Sequence, residues 1–458
     1  MSTATDIAAD QPPGPEYETT AKVRASIARR QAAERRFRFI GLAAIILGLG
    51  FVALLFASIL SKGLPAFWQA SIKIPINLDP SVIKIKPRPE RQPGQSAASY
   101  DAEVLAWRTS LASVNWGRLI ENGLLAELPP DAAQKRREVQ KLVASGERFR
   151  LREIVASDPS LIGRTISIDL VADANVDVWV KGNIDRSLPD AQLPLTPAQR
   201  SWVAILQEKG LLQQTFATGL FFNVDSRSSP ATAGLAGAFV GSLYMMLIVI
   251  GLSVPIGVAA AVYLEEFASK NRFTDLIEIN INNLAAVPSI VFGLLGAAVF
   301  INWLRLPLSA PLVGGLVLTL MTLPTIIIAT RSTLRAIPPS IRQAAIGLGA
   351  SRVQTVTHHV LPLALPGILT GAIIGVAQAL GETAPLLLIG MSAFVANVPA
   401  TPLDQSSALP VQIYLWQGNE LRNFFEARTS AAIIVLLSLM IGLNGLAIFL
   451  RRRFEKRW

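Results

Sequence analysis

The chain has 458 residues, 51% of them hydrophobic, and a mean hydropathy of +0.43, an apolar balance that soluble domains rarely reach. It lacks cysteine, which excludes disulfides and thiolate metal sites, and its two histidines, His358 and His359, are adjacent, which argues against a multi-histidine metal centre. The net charge of +10 gathers at the ends of apolar segments, the distribution that a membrane imposes rather than a nucleic acid.

Residues 1–38 form a basic tail ending in Arg29, Arg30, Arg35, Arg36 and Arg38. The run 39–60 is apolar throughout, long enough to cross a bilayer and longer than the apolar region of a cleaved leader, so a retained anchor is expected.

Residues 64–232 are polar and predict an inserted α+β domain. The stretch IKIKPRPERQPGQ reads as an extended linker. Helical patterns follow near 100–128 and 131–157. ISIDLVADANVDVWVKG alternates apolar and polar residues, which predicts a hairpin: Ile166, Ile168 and Leu170 on one strand, Val176, Val178 and Val180 on the next, ADAN as the turn. Thr196-Pro197 starts a helix near 197–215. Asp169, Asp173, Asp177 and Asp185 match neither the spacing nor the glycine of an EF-hand and read as solvated edge and turn carboxylates. Trp107, Trp116, Trp179 and Trp202 read as core rather than a ligand cage.

Five further apolar stretches follow, near 236–263, 284–304, 312–330, 367–390 and 430–450. Each approaches the ~20 residues a membrane helix needs, and Pro255 and Pro324 are tolerable inside spans. Lys270 and Arg272 follow the second span, Arg331, Arg335, Arg342 and Arg352 the fourth, and Arg451, Arg452, Arg453, Lys456 and Arg457 the sixth. With six spans these clusters and the N-terminal one share a side, so both termini are expected in the cytoplasm and 64–232 outside. The expected class is an all-α polytopic membrane protein of six transmembrane helices with an inserted extracytoplasmic α+β domain, closed by a basic tail at 451–458.

The loop after the fourth span predicts a short helix at 340–347. Pro338-Pro339 starts it, Gly349 ends it, and Leu361-Pro362 and Pro366-Gly367 redirect the chain into the fifth span. Gln343-Ala344-Ala345, Gly349 and Leu361-Pro362 stand at the spacing of the EAA loop of importer-type ATP-binding-cassette permeases, with Gln343 for the usual Glu and His359 for the usual Ile. LAAVPSIVFGLLG (284–296) and QALGETAPLLLIG (378–390) are similar to strings of PstA-type phosphate-importer permeases, with Ala286 for a Gly. The chain thus resembles a long variant of that family over 39–60 and 236–458.

The resemblance implies a type I importer permease core at 236–450, with 338–362 gripped by a separate ATPase. The chain itself contains no Gly-Lys dipeptide and hence no GxxxxGK[ST] loop. No catalytic set, metal or cofactor is expected. The implied partners are a PstC-like sister permease, two PstB-like ATPase subunits, a PstS-like periplasmic phosphate-binding protein and membrane lipid, with no nucleic acid. Glu382, a carboxylate in an apolar span, reads either as a gate on the translocation path or as a packing or capping group. Gln378 stands where the family often has Arg, so a positive partner must come from elsewhere, Arg331 or the sister subunit. A permease for another oxyanion, and a membrane sensor or scaffold, stay open as alternatives.

Overall fold

A computed structural model describes residues 15–392, 395 and 397–454. Residues 1–14 of the N-terminal tail, and Lys456 and Arg457 at the other end, lie outside the described residues. The chain divides into two units, 1–61 and 62–458. The first is chiefly the start of α1 (Pro15–Gly63), an unbroken helix that carries both the basic run and the apolar run 39–60.

Beyond α1 the chain enters a three-stranded antiparallel sheet. Its central strand, β1 (Trp68–Asn77), precedes the proline-rich linker and was not expected; β2 (Thr165–Val171) and β3 (Leu212–Phe216) flank it. Ile72, Ile74 and Ile76 of β1 lie opposite Leu170, Ile168 and Ile166. Pro75 lies beyond the β3 ladder, which ends at Ile72, so its strand is paired on one side only there. The two expected helical stretches are each broken. The first gives α2 (Ala97–Ala112) and α3 (Trp116–Glu127), with Asn115 capping α3; the second gives α4 (Arg136–Gln140) and α5 (Glu147–Ser157). Trp107, Trp116 and Trp202 are buried with the isoleucines, whereas Trp179 is half-buried under the guanidinium groups of Arg186 and Arg200.

The expected hairpin is corrected. Its second strand is a helix, α6 (Ala174–Lys181), whose N-terminus Asp173 caps by accepting the Asn175 N–H at 3.0 Å. Gly182, at φ +73°, ends it. The caps outweigh the alternation of valines. Val176 packs into the core of the insert, whereas Val178 packs into a second cluster with Leu409 and Phe425, near the membrane spans. Asp177 is also corrected: it is buried, accepts the Ala70 N–H at 2.7 Å and pairs with Lys181 at 2.6 Å. No group of three or more metal-binding side chains occurs among the described residues. The last expected helix of the insert stops early. α7 (Pro197–Glu208) opens with a capping box of Thr196 and Gln199, and Gly210 turns the chain into β3. A short α8 (Thr218–Phe222) leads to the spans.

Among the described residues, four more helices are long and apolar enough to cross a membrane besides α1: α9 (Ala236–Val262), α12 (Pro311–Ala336), the run that ends in α15 (Leu361–Gly381), and α18 (Arg422–Phe454). The remaining span is broken. α10 (Arg272–Ala285) and α11 (Ser289–Gly296), which π-helical turns extend to Trp303, meet at 101° across Ala286–Pro288. The expected continuous span at 284–304 is therefore corrected, because Pro288 supplies no N–H to carry the helix through. α12 is the centre of the spans, packed against both α9 and α15. Small residues bring the backbones together: a Cβ on Gly371 would collide with that of Ala329.

The capping role of Asp173 is testable. Burial pushes its carboxyl above the usual range, and the Asn175 N–H opposes that. The folded state then holds the proton more tightly, so this contribution to stability is fullest at low pH and declines as pH rises through the window above 3.8. Asp173→Ala should cost about 1 kcal/mol. Amide exchange along α6 in the full chain, corrected for intrinsic rates, should then quicken about fivefold. Asp173→Asn should keep the cap and flatten the pH dependence.

Candidate functional site

The short helix after α12 forms as the prolines require. α13 (Pro339–Gly347) starts at Pro338-Pro339 and ends where Gly349 takes φ +90°, with the Ala350 N–H returning to the Ala345 carbonyl. Ala345 is buried, whereas Gln343 and Ala344 are exposed. Beyond them Ile346 is 51% and Leu348 90% exposed, an apolar tip left uncovered among the described residues. Ser351 and Gln354 then form a capping box on α14 (Arg352–Thr355). One helical run continues from Arg352 through Leu361-Pro362 to Gly381, so these prolines do not redirect the chain as expected. A π-helical turn at Val356–Val360 displaces the hydrogen-bond ladder just before Pro362, where the missing donor would otherwise interrupt it.

Ion pairs fix α13 in place. α9 ends in a π-helical turn, Tyr263–Phe267, that presents Glu265 and Glu266. Arg342 donates Nη2 to Glu266 at 2.6 Å, and its guanidinium also bonds the carbonyls of Leu334 (2.9 Å) and Ile337 (2.8 Å) at the end of α12. Arg331 bonds Glu278 of α10 at 2.8 Å and Glu265 at 3.3 Å, and Arg335 bonds Glu265 at 3.0 Å. Four helices thus meet through three guanidinium groups and three carboxylates.

The two family-like strings also meet. The expected fifth span breaks at Glu382 and resumes as α16 (Ala384–Leu388), because Pro385 cannot donate to a continuing helix. A Cβ on Gly293 of α11 would lie 2.7 Å from the Cα of Pro385, so the glycine admits this approach. The break in the fifth span therefore packs against the half-helix that follows the break at Pro288. Glu382 sits half-buried at the C-terminus of α15 and forms no ion pair among the described residues; Gln378, one turn earlier, is exposed. The structure does not bring Arg331 to Glu382, since its bonds go to Glu265 and Glu278.

The model for "Binding-protein-dependent transport system inner membrane component" matches residues 253–458, and one described as "Domain of unknown function (DUF3333)" matches 24–190. The phosphate transport system permease protein PstA of Mycobacterium leprae is 34% identical over 47% of this chain and 70% of its own length. The chain belongs to the PstA family of binding-protein-dependent permeases. The probable ABC transporter permease protein YqgI of Bacillus subtilis is 30% identical over 49% of this chain and 80% of its own. PstA of Haemophilus influenzae is 30% identical over 49% and 79%. The chain is thus a multi-pass inner-membrane protein with the type I importer permease fold, extended by an insert.

For a PstA-family chain, Gln343 in place of Glu costs no internal contact, because the side chain points outward. The residues that hold α13 are Arg342 and Glu266, which sequence reasoning passed over. Arg335 and Arg342 counted there only as a positive flank, and Arg331 as that and as a candidate positive partner on the path. The available signal was the Glu pair of YLEEF at the end of a span, across from that flank.

Glu266→Gln and Arg342→Gln should each lower the thermal stability of the detergent-solubilised chain. A double-mutant cycle should give a coupling of about 1–3 kcal/mol. Additive effects would show that the pair does not hold α13.

Proposed function

We propose that the chain is the permease subunit of an ATP-driven importer of inorganic phosphate, with hydrolysis on a separate ATPase subunit. In this reading both termini and α13 lie in the cytoplasm, and 64–232 lies outside the inner membrane. The observation that carries it is α13: a short helix with an exposed apolar tip, pinned to the ends of α9 and α12 by Arg342 and Glu266. The phosphate transport names of the PstA relatives support the choice of cargo.

The mechanism follows from the packing. Ile346 and Leu348 fill a groove on an ATPase subunit, one on this chain and one on a PstC-like sister permease. Closure of the ATPases pushes α13, which moves the ends of α9 and α12 because breaking the Arg342–Glu266 pair would strand a charge. α12 packs on α15, so the displacement reaches the facing breaks at Pro288 and Glu382. Discontinuous helices are where membrane transporters place polar backbone on a substrate path. Glu382 gates that path without touching phosphate, since an unpaired carboxylate repels the anion. A cation from the sister subunit offsets it, and a PstS-like periplasmic protein delivers phosphate.

The test is ATP-driven uptake of labelled phosphate by the reconstituted complex. Leu348→Asp should cut uptake and phosphate-stimulated hydrolysis at least tenfold, the loss of about 1.4 kcal/mol at the docking tip. Glu382→Gln should alter uptake with assembly intact; unchanged uptake removes Glu382 from the path. Competition by molybdate or sulfate as strong as by unlabelled phosphate would reassign the cargo.

A further inference from the structure

Two cavities adjoin where the insert meets the spans, and Phe222 lines both. The lower is an apolar groove of about 1140 Å³ between α9 and α18, lined by Phe239, Ile434, Leu439, Leu443 and Leu446 among others. From Ile434 to Leu446 it follows α18 for roughly 18 Å, close to the ~15 Å hydrocarbon depth of one leaflet. The upper is polar, about 350 Å³, on the face of the sheet opposite the isoleucines. Arg150, Asp169, Thr215, Thr218 and Asn223 line it.

Aromatic rings mark the boundary. Trp68 and Phe216 meet edge to face at 6.2 Å, and Phe216 stacks on Phe221 at 6.0 Å. Phe222 is 79% exposed. These residues follow α1 and precede α9, where the chain leaves one span and enters the next. Such a position suits the amphipathic ring of Trp68 to the headgroup level, with the phenylalanine rings packed beside it.

The charges of the upper cavity, which Glu147 also lines, are only partly matched within the protein. Arg150 donates Nη1 to the buried Glu147 at 3.0 Å and to the Asp169 carbonyl at 2.8 Å, leaving Nε and Nη2 without a partner among the described residues. The Asp169 carboxylate is exposed on β2, across the ladder from Lys73, and forms no direct ion pair among the described residues. A guanidinium shared with the buried Glu147 and the exposed Asp169 carboxylate thus line one polar cavity, together with the Thr215 and Thr218 hydroxyls.

We propose that this paired cavity binds one phospholipid with a zwitterionic phosphoethanolamine headgroup. The phosphodiester lies on Arg150 and the Thr215 and Thr218 hydroxyls, the ammonium lies on Asp169, and an acyl chain fills the groove along α18. A transmembrane helix of another subunit would fill the groove but leave the charged upper cavity unanswered. A phospholipid answers both halves, and its headgroup needs a cation and an anion together. The site requires only that α9 and α18 stand in a bilayer, so its fate is separate from that of the cargo reading.

The full chain, purified in mild detergent with its partner subunits and then delipidated, is placed in nanodiscs of phosphatidylethanolamine and phosphatidylglycerol in equal parts. Native mass spectrometry after release reads which lipid stays. Phosphatidylethanolamine should be retained at least tenfold over phosphatidylglycerol. Asp169→Asn should reduce that preference about tenfold, and Arg150→Gln and Leu439→Trp should each cut retention similarly. Asp169→Asn carries the headgroup test alone if Arg150→Gln, which strands Glu147, fails to fold. Millimolar inorganic phosphate should displace nothing. Equal retention of both lipids, or retention indifferent to Asp169→Asn and Leu439→Trp, overturns the proposal. So does a photo-crosslinker at position 439 that captures another subunit instead of lipid.

Discussion

The position of α13 depends on the carboxylates at the end of α9. A guanidinium at a membrane face is tolerable because water is near, but one that is three-quarters buried needs its donors met. Arg342 meets them with one carboxylate, Glu266, itself 9% exposed at the side chain, and with two carbonyls left over where α12 ends. The carbonyls at a helix C-terminus carry partial negative charge and have no helical donor, so Arg342 satisfies α12 while it binds α9. The same side chain therefore terminates one span, clasps another and anchors the helix on which it stands. Arg331 and Arg335 add α10 to the joint through Glu278. A connecting loop held only by apolar contacts would slide; one held by forked, directional bonds keeps its angle.

From that joint the packing runs inward through small residues. α12 lies between α9 and α15, and its contacts are made where glycine meets a side chain: Gly257 against Ile326, Gly371 against Ala329, Gly367 against Thr333. At this closeness a displacement of α12 has nowhere to dissipate, because a packed interface has few alternative arrangements. Its far half meets the paired breaks, where Gly296 touches Val317 and Gly293 touches Pro385. Backbone groups freed at a break inside a membrane must line either protein or a wet path. Two breaks set against each other concentrate such groups in one place, and Glu382 stands at one of them.

Signals carried by single residue types over many positions were legible in the sequence. Apolar runs marked where each span lies, though not the breaks or ends of the third and fifth, and Pro338-Pro339 with Gly349 bounded α13 almost to the residue. Signals that depend on competition between local rules were not. The valines of 176–180 suit a strand and a buried helix equally, and only the caps Asp173 and Gly182 decide between them. Hydropathy runs unbroken through 284–304 and 367–390, so a window cannot see that Pro288 and Pro385 each stop a helix. β1 escaped notice because its isoleucines lie between a span and a linker, with a proline among them. The partners of Arg331 and Arg342 lie more than fifty residues away, beyond any periodicity.

The insert is tied to the spans by the same kind of bond that fixes α13. Arg428, in the first turns of α18, is buried. It donates to the carbonyls of Ala231 and Ala233, to the Gln69 side chain of β1 at 3.0 Å, and lies over the Phe424 ring at 4.8 Å. Asp225 accepts from the Trp416 indole at 3.0 Å, on α17 (Leu409–Gln417), which packs beside α18. The central strand of the sheet cannot shift against α18 without stranding that guanidinium, a cost of several kcal/mol. Its orientation is therefore set by the sixth span, while the orientation of α13 is set by α9 and α12. Any motion that changes the angle between those helices must also change the angle between the insert and α13.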